Sequence, residues 1–379
     1  MKIIIASDSY KGSLSSLEVA NAIKTGFSKI FPSATFSVIP MADGGDGTLE
    51  AMLYNCGGKI IKTKVHDPLF REINSSFGIL ENGDAIIEMA LSSGLPLLKE
   101  WEKNALKATT YGLGELILKA LDFKCKNIFL GLGGSATNDA GVGMMQALGA
   151  SFLDKNGDKI GFGGVELSKI CKIDLTKLDK RLKSVTFTII SDVNNPLCGK
   201  NGASAIYGPQ KGASTEDVKI LDKNLSHFAD IVASLGYADK REMVGTGAAG
   251  GVAFPMINFL NTNIKSGIDV VLNLAKFDEQ CIGASLVITG EGRLDRQSVF
   301  GKVPVGVAKF ATIHKIPVVA VVGSIGDGFE EVYKHGISAI QSSINHITTL
   351  DIAIQNAKEN VKIASETLAR SLKVDMNIK

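Results

Sequence analysis

The sequence predicts an α/β protein built on parallel strands, with a discontinuous first domain (1–57 and 282–379) and a second domain inserted at 58–281. Three observations predict it. Short β-rich apolar runs alternate with longer helical patterns, the mark of strand–helix–strand units. That plain alternation holds near both ends of the chain and gives way between them to a further set of strands, some of them paired. Polar, glycine-rich clusters follow directly after predicted strands, at the carboxyl edge where open parallel sheets bind ligands.

The elements follow in order. Lys2–Ala6 is a strand, and Leu17–Phe31 a helix with a capping box from Ser15 to Glu18 and an apolar stripe of Ala20, Ile23, Phe27, Ile30 and Phe31. Thr35–Pro40 is a strand, Thr48–Tyr54 a helix, and Cys56-Gly57-Gly58 a break. Lys59–Val65 and Ser76–Leu80 form a strand pair, Asp84–Glu88 another strand, and Tyr111–Leu121 a helix leading into the strand Asn127–Leu130. Gly141–Leu148 is helical, Phe187–Ile190 a strand and Val218–Leu235 a helix. The closing stretch reads Leu286–Thr289 (strand), Val305–Ile313 (helix), Val318–Val322 and Ile337–Ser342 (strands), and one long helix, Leu350–Leu372.

Composition narrows the function. The chain has 379 residues, with 41 Lys plus Arg against 39 Asp plus Glu, a balance too even to suit a polyanion or a bilayer surface. Hydrophobic residues at 45% and charged residues at 21% exclude a disordered or fibrous chain. Cys56, Cys125, Cys171, Cys198 and Cys281 are odd in number, with no Cys-x-x-Cys and no zinc-site histidine, and read as reduced thiols. Ile3-Ile4-Ile5-Ala6 is too short for a signal peptide, and no stretch approaches the roughly 18 apolar residues of a membrane span. The expectation is a cytoplasmic protein, monomer or homodimer, with a small-molecule substrate and no nucleic-acid or membrane partner. Its 41 glycines exceed ordinary usage and mark special backbone turns.

Six clusters sit at strand ends: 7–12, 42–48, 131–139, 191–196, 290–295 and 323–327. The loop from Gly131 to Asp139, with Gly133, Gly134, Ser135 and Asn138, follows a strand and opens a helix, so it reads as a phosphate cradle. Gly131-x-Gly133-x-x-Ala136 also satisfies the dinucleotide fingerprint, with Asp154 where a ribose-binding acid would stand. No Walker A sequence is present. Asp43 and Asp46 share one turn, while Glu291 and Asp295 flank Arg293. Phosphoryl transfer needs a metal-holding acid, a cation for the moving group and a base for the hydroxyl; Lys11 and Arg293 are the cations beside acids. Arg71 is a weaker anion candidate. Tyr207–Ala213 and Gly245–Gly251 read as loops with little titratable chemistry, the latter favouring close helix packing. The five histidines and Ser135 lack a triad, zinc or nucleophile-elbow context.

Together the segments 8–13, 40–48, Gly131–Asp139, Ser191–Gly199, Tyr207–Ala213 and 290–298, with Gly301-Lys302-x-Pro304, resemble the type I bacterial glycerate kinases, in order and across nearly the whole chain. The departures are Tyr10 for Phe, Asp46 for Glu, Tyr207 for Phe, Ala140 for Gly, and larger residues after Gly251. The resemblance implies a flavodoxin-like (Rossmann-like) discontinuous parallel-sheet domain, an inserted mixed α/β domain and an active site in the cleft between them. It further implies ATP-dependent, Mg²⁺-assisted phosphorylation of D-glycerate, most simply to 2-phospho-D-glycerate. On this reading the 131–139 loop cradles nucleotide phosphates. Lys11 and Arg293, with Asp8, Ser9 and Arg71, bind glycerate or the moving phosphoryl group. Asp192 or Asp43 orients or deprotonates the hydroxyl, and Glu291 and Asp295 hold the metal. The alternatives are an NAD(P)-dependent oxidoreductase of a small hydroxy acid and a non-catalytic nucleotide- or metabolite-sensing module.

Overall fold

The structure, a computed structural model, describes residues 1–299 and 301–374. The chain divides into two compact units, one made of Met1–Asp43, Glu50–Gly57 and the chain from Ser266 onward, the other of Gly44–Leu49 and Gly58–Lys265. The second unit ends earlier than the expected 281. The helices Gly267–Leu274 and Phe277–Cys281 pack in the first unit, where Gly306 lies so close to Ile268 that a Cβ would meet its side chain at 2.6 Å, and Gly267 is backed against Ala42 and Asp43.

In the first unit Ile3, Ile4 and Ile5 are fully buried, as a strand covered on both faces must be. The five strands run all parallel in the spatial order Ile337–Ser342, Val318–Val322, Ala284–Gly290, Lys2–Ser7, Thr35–Val38. Numbered within the unit this order is 5-4-3-1-2, the flavodoxin-like arrangement, and its switch point lies between Lys2–Ser7 and Ala284–Gly290. The helix Ser16–Ile30 has the expected capping box: the Glu18 N–H donates to Ser15 Oγ at 3.3 Å and the Ser15 N–H to Glu18 Oε2 at 2.9 Å. Its buried stripe includes Ala20, Ile23, Phe27 and Ile30. Gly26 lets it cross the C-terminal helix closely, since a Cβ there would meet Ser365 at 2.7 Å. The single long helix expected over 350–372 is instead two, Leu350–Gln355 and Ala357–Leu372, joined at Asn356 with φ −97° and ψ 10°.

The second unit carries a six-stranded mixed sheet in the order Thr262–Lys265, Thr186–Ile190, Asn127–Gly131, Ala85–Glu88, Glu72–Leu80, Gly58–His66. The first four are parallel and the last two form the antiparallel pair read from the sequence. Its core is apolar side chains such as Phe77, Leu113, Ile117, Phe152, Phe187, Phe228 and Phe254. The helix after Gly131 starts at Val142 and spans only Val142–Ala147, with Gly141 in the left-handed region before it. Among the described residues no helix is long and apolar enough to cross a membrane.

Candidate active site

In the first unit the switch point gathers most of the charged candidates. Asp8 leaves the first strand of the sheet, and Glu291 leaves the neighbouring strand Ala284–Gly290. The two strand ends are pressed together by small residues: a Cβ on Gly292 would meet Tyr10 Cα at 3.2 Å, and one on Gly290 would meet Ser7 Oγ at 3.0 Å. The floor is Tyr10, buried, with its hydroxyl donating to the Val321 carbonyl at 2.9 Å.

Above that floor Lys11 Nζ donates to Asp43 Oδ2 at 3.0 Å. Ser9 donates its N–H to Asp8 Oδ1 at 2.7 Å. Burial pushes the Asp8 carboxyl up to about 7; the charges of Asp43 and Glu291 push the same way, while the Ser9 N–H and Lys11 oppose. Glu291 is buried and held above the ordinary carboxylate range by that burial, against the Ser298 hydroxyl and the Lys302 ammonium. Ser298 Oγ donates to Glu291 Oε1. Lys302 Nζ lies 3.3 Å from Glu291 Oε2 and 3.9 Å from Asp295 Oδ1. Arg293 Nε is 3.4 Å from Asp295 Oδ2, with its guanidinium mostly in solvent. The sequence reading assigned no role to Lys302 or Ser298, although both lie in the segments that carry the family resemblance, just downstream of the Glu291–Asp295 turn.

Among the described residues no three His, Cys, Asp or Glu side chains converge as a ready-made metal cage. The pair expected to hold metal, Glu291 and Asp295, instead converges on one cationic position, taken by Lys302. Two carboxylates directed at a cation suit Mg²⁺, which takes few protein ligands and completes its shell with phosphates and water.

In the second unit the Gly131–Asp139 loop differs from a simple phosphate cradle. Gly133 donates its N–H to the Gly44 carbonyl at 3.0 Å, and a Cβ on Gly131 would meet the same oxygen at 2.8 Å. These two glycines are small because the turn carrying Gly44 and Gly45 lies on them. Gly44 itself, at φ +87°, leaves no room for a Cβ beside the Ile190 carbonyl. Asn138 and Asp139 are not in a helix's first turn; both are buried ahead of it. Asn138 Nδ2 donates to Ser204 Oγ at 2.9 Å. Asp139 accepts from the Thr110 N–H and hydroxyl, both at 2.9 Å, and from the N–H groups of Gly141 and Gly143 at 3.1 and 3.2 Å. The amides that a helix start would offer a phosphate are thus already used. Gly134 is the exposed member of the loop.

Ser135 Oγ accepts from Lys211 Nζ at 2.9 Å, and the Thr137 carbonyl accepts from the same ammonium at 2.7 Å. Lys211 is 1% exposed; burial pulls it down to about 7, with Asp139 opposing. The segment read as poor in titratable chemistry therefore contributes a buried lysine. Gly245–Gly251 is a packing element, as favoured: Gly250 and Gly247 press on the backbone at Thr137 and Pro196.

Three further candidates belong to the second unit. Asp192 follows the strand Thr186–Ile190, half-buried. Arg71 lies in the turn between Gly58–His66 and Glu72–Leu80, bound to Asp67 Oδ2 and Glu102 Oε1, each at 2.6 Å. Asp154 spends its carboxylate on the Asn156 and Asp158 N–H groups in a hairpin turn at 2.8 and 3.0 Å, which removes the ribose-binding acid from the dinucleotide reading.

Carboxylates of different proton affinity beside two lysines and an arginine, at the switch point of a flavodoxin-like sheet, are the parts of a kinase acting on an alcohol. Comparison with known proteins specifies which. The chain matches the Glycerate kinase family over residues 3–373. It is 47% identical to a Glycerate 2-kinase of Escherichia coli K12, with 99% of each chain covered, and 44% identical to a Glycerate kinase of Bacillus subtilis 168, with 99% of this chain and 98% of the other covered. A crystal structure described as a glycerate kinase 2 from Salmonella typhimurium LT2 superposes with a TM-score of 0.88 at 44% identity, covering 98% of both chains. The chain belongs to the glycerate kinase family: it is a phosphotransferase with glycerate as its alcohol acceptor.

Proposed function

We propose that the protein transfers the γ-phosphoryl group of ATP, with Mg²⁺, to the 2-hydroxyl of D-glycerate in the cytoplasm, giving 2-phospho-D-glycerate. The position rests on the near-complete coverage and 47% identity with a protein named Glycerate 2-kinase. The observation that carries the chemistry is Asp8, a carboxyl raised to about 7 beside the Lys11–Asp43 pair. A base works best with its proton affinity near the operating pH, so Asp8 takes the hydroxyl proton in preference to Asp43 or Asp192. The substrate oxygen bonds to phosphorus as the bond from phosphorus to the ADP oxygen breaks.

Lys11 and Arg293 then steady the glycerate carboxylate or the transferring group. Glu291 and Asp295 are the residues that would hold Mg²⁺, which when bound neutralises charge on the nucleotide's phosphate oxygens. The nucleotide phosphates are assigned to Gly134 and Ser135, with Gly131, Gly133, Asn138 and Asp139 shaping that loop. Arg71, tied to two acids, takes no part.

Phosphorus-31 NMR of the purified protein with ATP, Mg²⁺ and D-glycerate tests the reading. A phosphoglycerate resonance split by one proton identifies the 2-phosphate; splitting by two identifies the 3-phosphate and overturns the assigned position.

A further inference from the structure

We infer that Lys211 is a positioning residue for the kinase reaction, holding the Ser135–Thr137 stretch of the strand-end loop in the conformation that receives the nucleotide phosphates. The inference rests on the assignment of that loop to the nucleotide.

The geometry is specific. Lys211 comes from a short turn, Pro209–Lys211, far along the chain from the loop. Pro209 stiffens the turn at its start. Gly212 ends it at φ +85°, packed so tightly on Lys103 that a Cβ would touch Lys103 Cβ at 3.0 Å and its carbonyl more closely still. The lysine thus leaves a fixed backbone and spends two N–H groups on the loop, one on the Ser135 hydroxyl and one on the Thr137 carbonyl.

An ammonium is an expensive group to bury, and a neutral amide could donate the same two bonds. Asp139, the acid that bears on its charge, is itself satisfied by four donors from Thr110, Gly141 and Gly143. The lysine is therefore not needed to complete the hydrogen bonding of that carboxylate, and its own bonds go to the loop. Its two bonds run to the residues just after the exposed Gly134.

The loop also carries the mark of an imposed conformation. Thr137 Oγ1 and Asn138 Oδ1 are buried without a hydrogen-bond partner among the described residues. Buried polar atoms are normally paired, so this stretch is not folded to satisfy itself. Lys211, fixed from outside, is what holds it.

The test compares wild-type, Lys211→Met and Lys211→Arg full-length protein by steady-state kinetics with ATP·Mg²⁺ and D-glycerate, together with equilibrium titration of ATP·Mg²⁺. Loss of two bonds from a charged donor is expected to raise KM and Kd for ATP by about tenfold or more in Lys211→Met, with KM for glycerate within about twofold. Lys211→Arg is expected to recover part of the loss, since its planar fork cannot repeat the ammonium geometry. Should Lys211→Met not fold, Lys211→Gln keeps a shorter, neutral donor in its place, and a rise of several-fold in KM for ATP with KM for glycerate within about twofold is expected of it.

A folded Lys211→Met that binds ATP like wild type, or one whose loss falls equally on both substrates, overturns the positioning role. A wild-type protein that binds ATP while the loop variant Gly134→Asp binds it equally well overturns the loop assignment beneath it. The two failures are therefore distinguishable.

Discussion

The Lys11 ammonium lies 3.0 Å from Asp43 Oδ2 with 74% of the lysine side chain in solvent. A pair so exposed contributes at most about 1 kcal/mol to stability, and it stands at the carboxyl edge of the sheet, where the proposed reaction employs it. Lys11→Met is therefore expected to leave the thermal midpoint within a degree or two while lowering kcat by about 10²- to 10³-fold, the range for one lost charge-stabilising donor. An unchanged kcat would reduce the pair to surface decoration.

Lys302 serves the opposite purpose. It is the cation nearest the buried Glu291, whose carboxyl is already raised by burial. Lys302→Met leaves that acid with the Ser298 hydroxyl and the repelling charge of Asp295, so its proton affinity rises further. A folded-state pKa above the unfolded value means that stability is lost as pH rises through it. The variant is expected to be less stable than wild type by about 1–3 kcal/mol at pH 8, toward the lower figure because Lys302 is 37% exposed, and by less at pH 5. Urea denaturation at the two pH values measures the difference, and an equal loss at both would contradict the assignment.

What the sequence disclosed was what short range decides. The Ser15–Glu18 capping box, the buried strand Lys2–Ser7 and the polar clusters at strand ends are legible because each is written in neighbouring residues. Why the loop residues are what they are was not legible, for the converse reason. Gly131 and Gly133 look like room for a phosphate, yet the group that fills the room is the Gly44 turn, nearly ninety positions earlier. Asn138 and Asp139 look like helix-start polar groups, yet they are buried and bonded to Ser204 and Thr110. Lys211 has almost no local signal: a lysine between a proline and a glycine suggests an exposed turn. Nor does the sequence around Asn356 carry a proline or glycine to announce the break in the last helix.

The Gly44 turn gives a paired test of packing against strain. Gly44 and Gly47 both have φ +87°, but a Cβ on Gly44 would strike the Ile190 backbone and one on Gly47 would meet nothing within 4 Å. Gly47→Ala carries only the left-handed penalty, about 1 kcal/mol. Gly44→Ala adds a displacement of the strand end and is expected to cost about twice that or more. Denaturation midpoints of the two variants compare them directly, and equal losses would mean that the turn is free to move away from Ile190.

The last prediction concerns the direction of the pH dependence. Asp8 is protonated in the folded protein up to about pH 7, because burial and the charges of Asp43 and Glu291 penalise its ionised form. Only the ionised form accepts a proton from the glycerate hydroxyl, so kcat/KM is expected to climb about tenfold per unit below that pH and to level off above it. The same shift carries a stability signature of opposite sense. From about pH 4 to 7 the unfolded chain has already released this proton and the folded chain has not, so the Asp8 contribution to stability falls as pH rises. Asp8→Asn, neutral at every pH, should abolish the kinetic rise and be more stable than wild type at pH 8. If the kinetic rise persists in Asp8→Asn but vanishes in Asp192→Asn, the base is Asp192. Asp8 would then be a half-buried acid that costs the protein stability without serving the transfer.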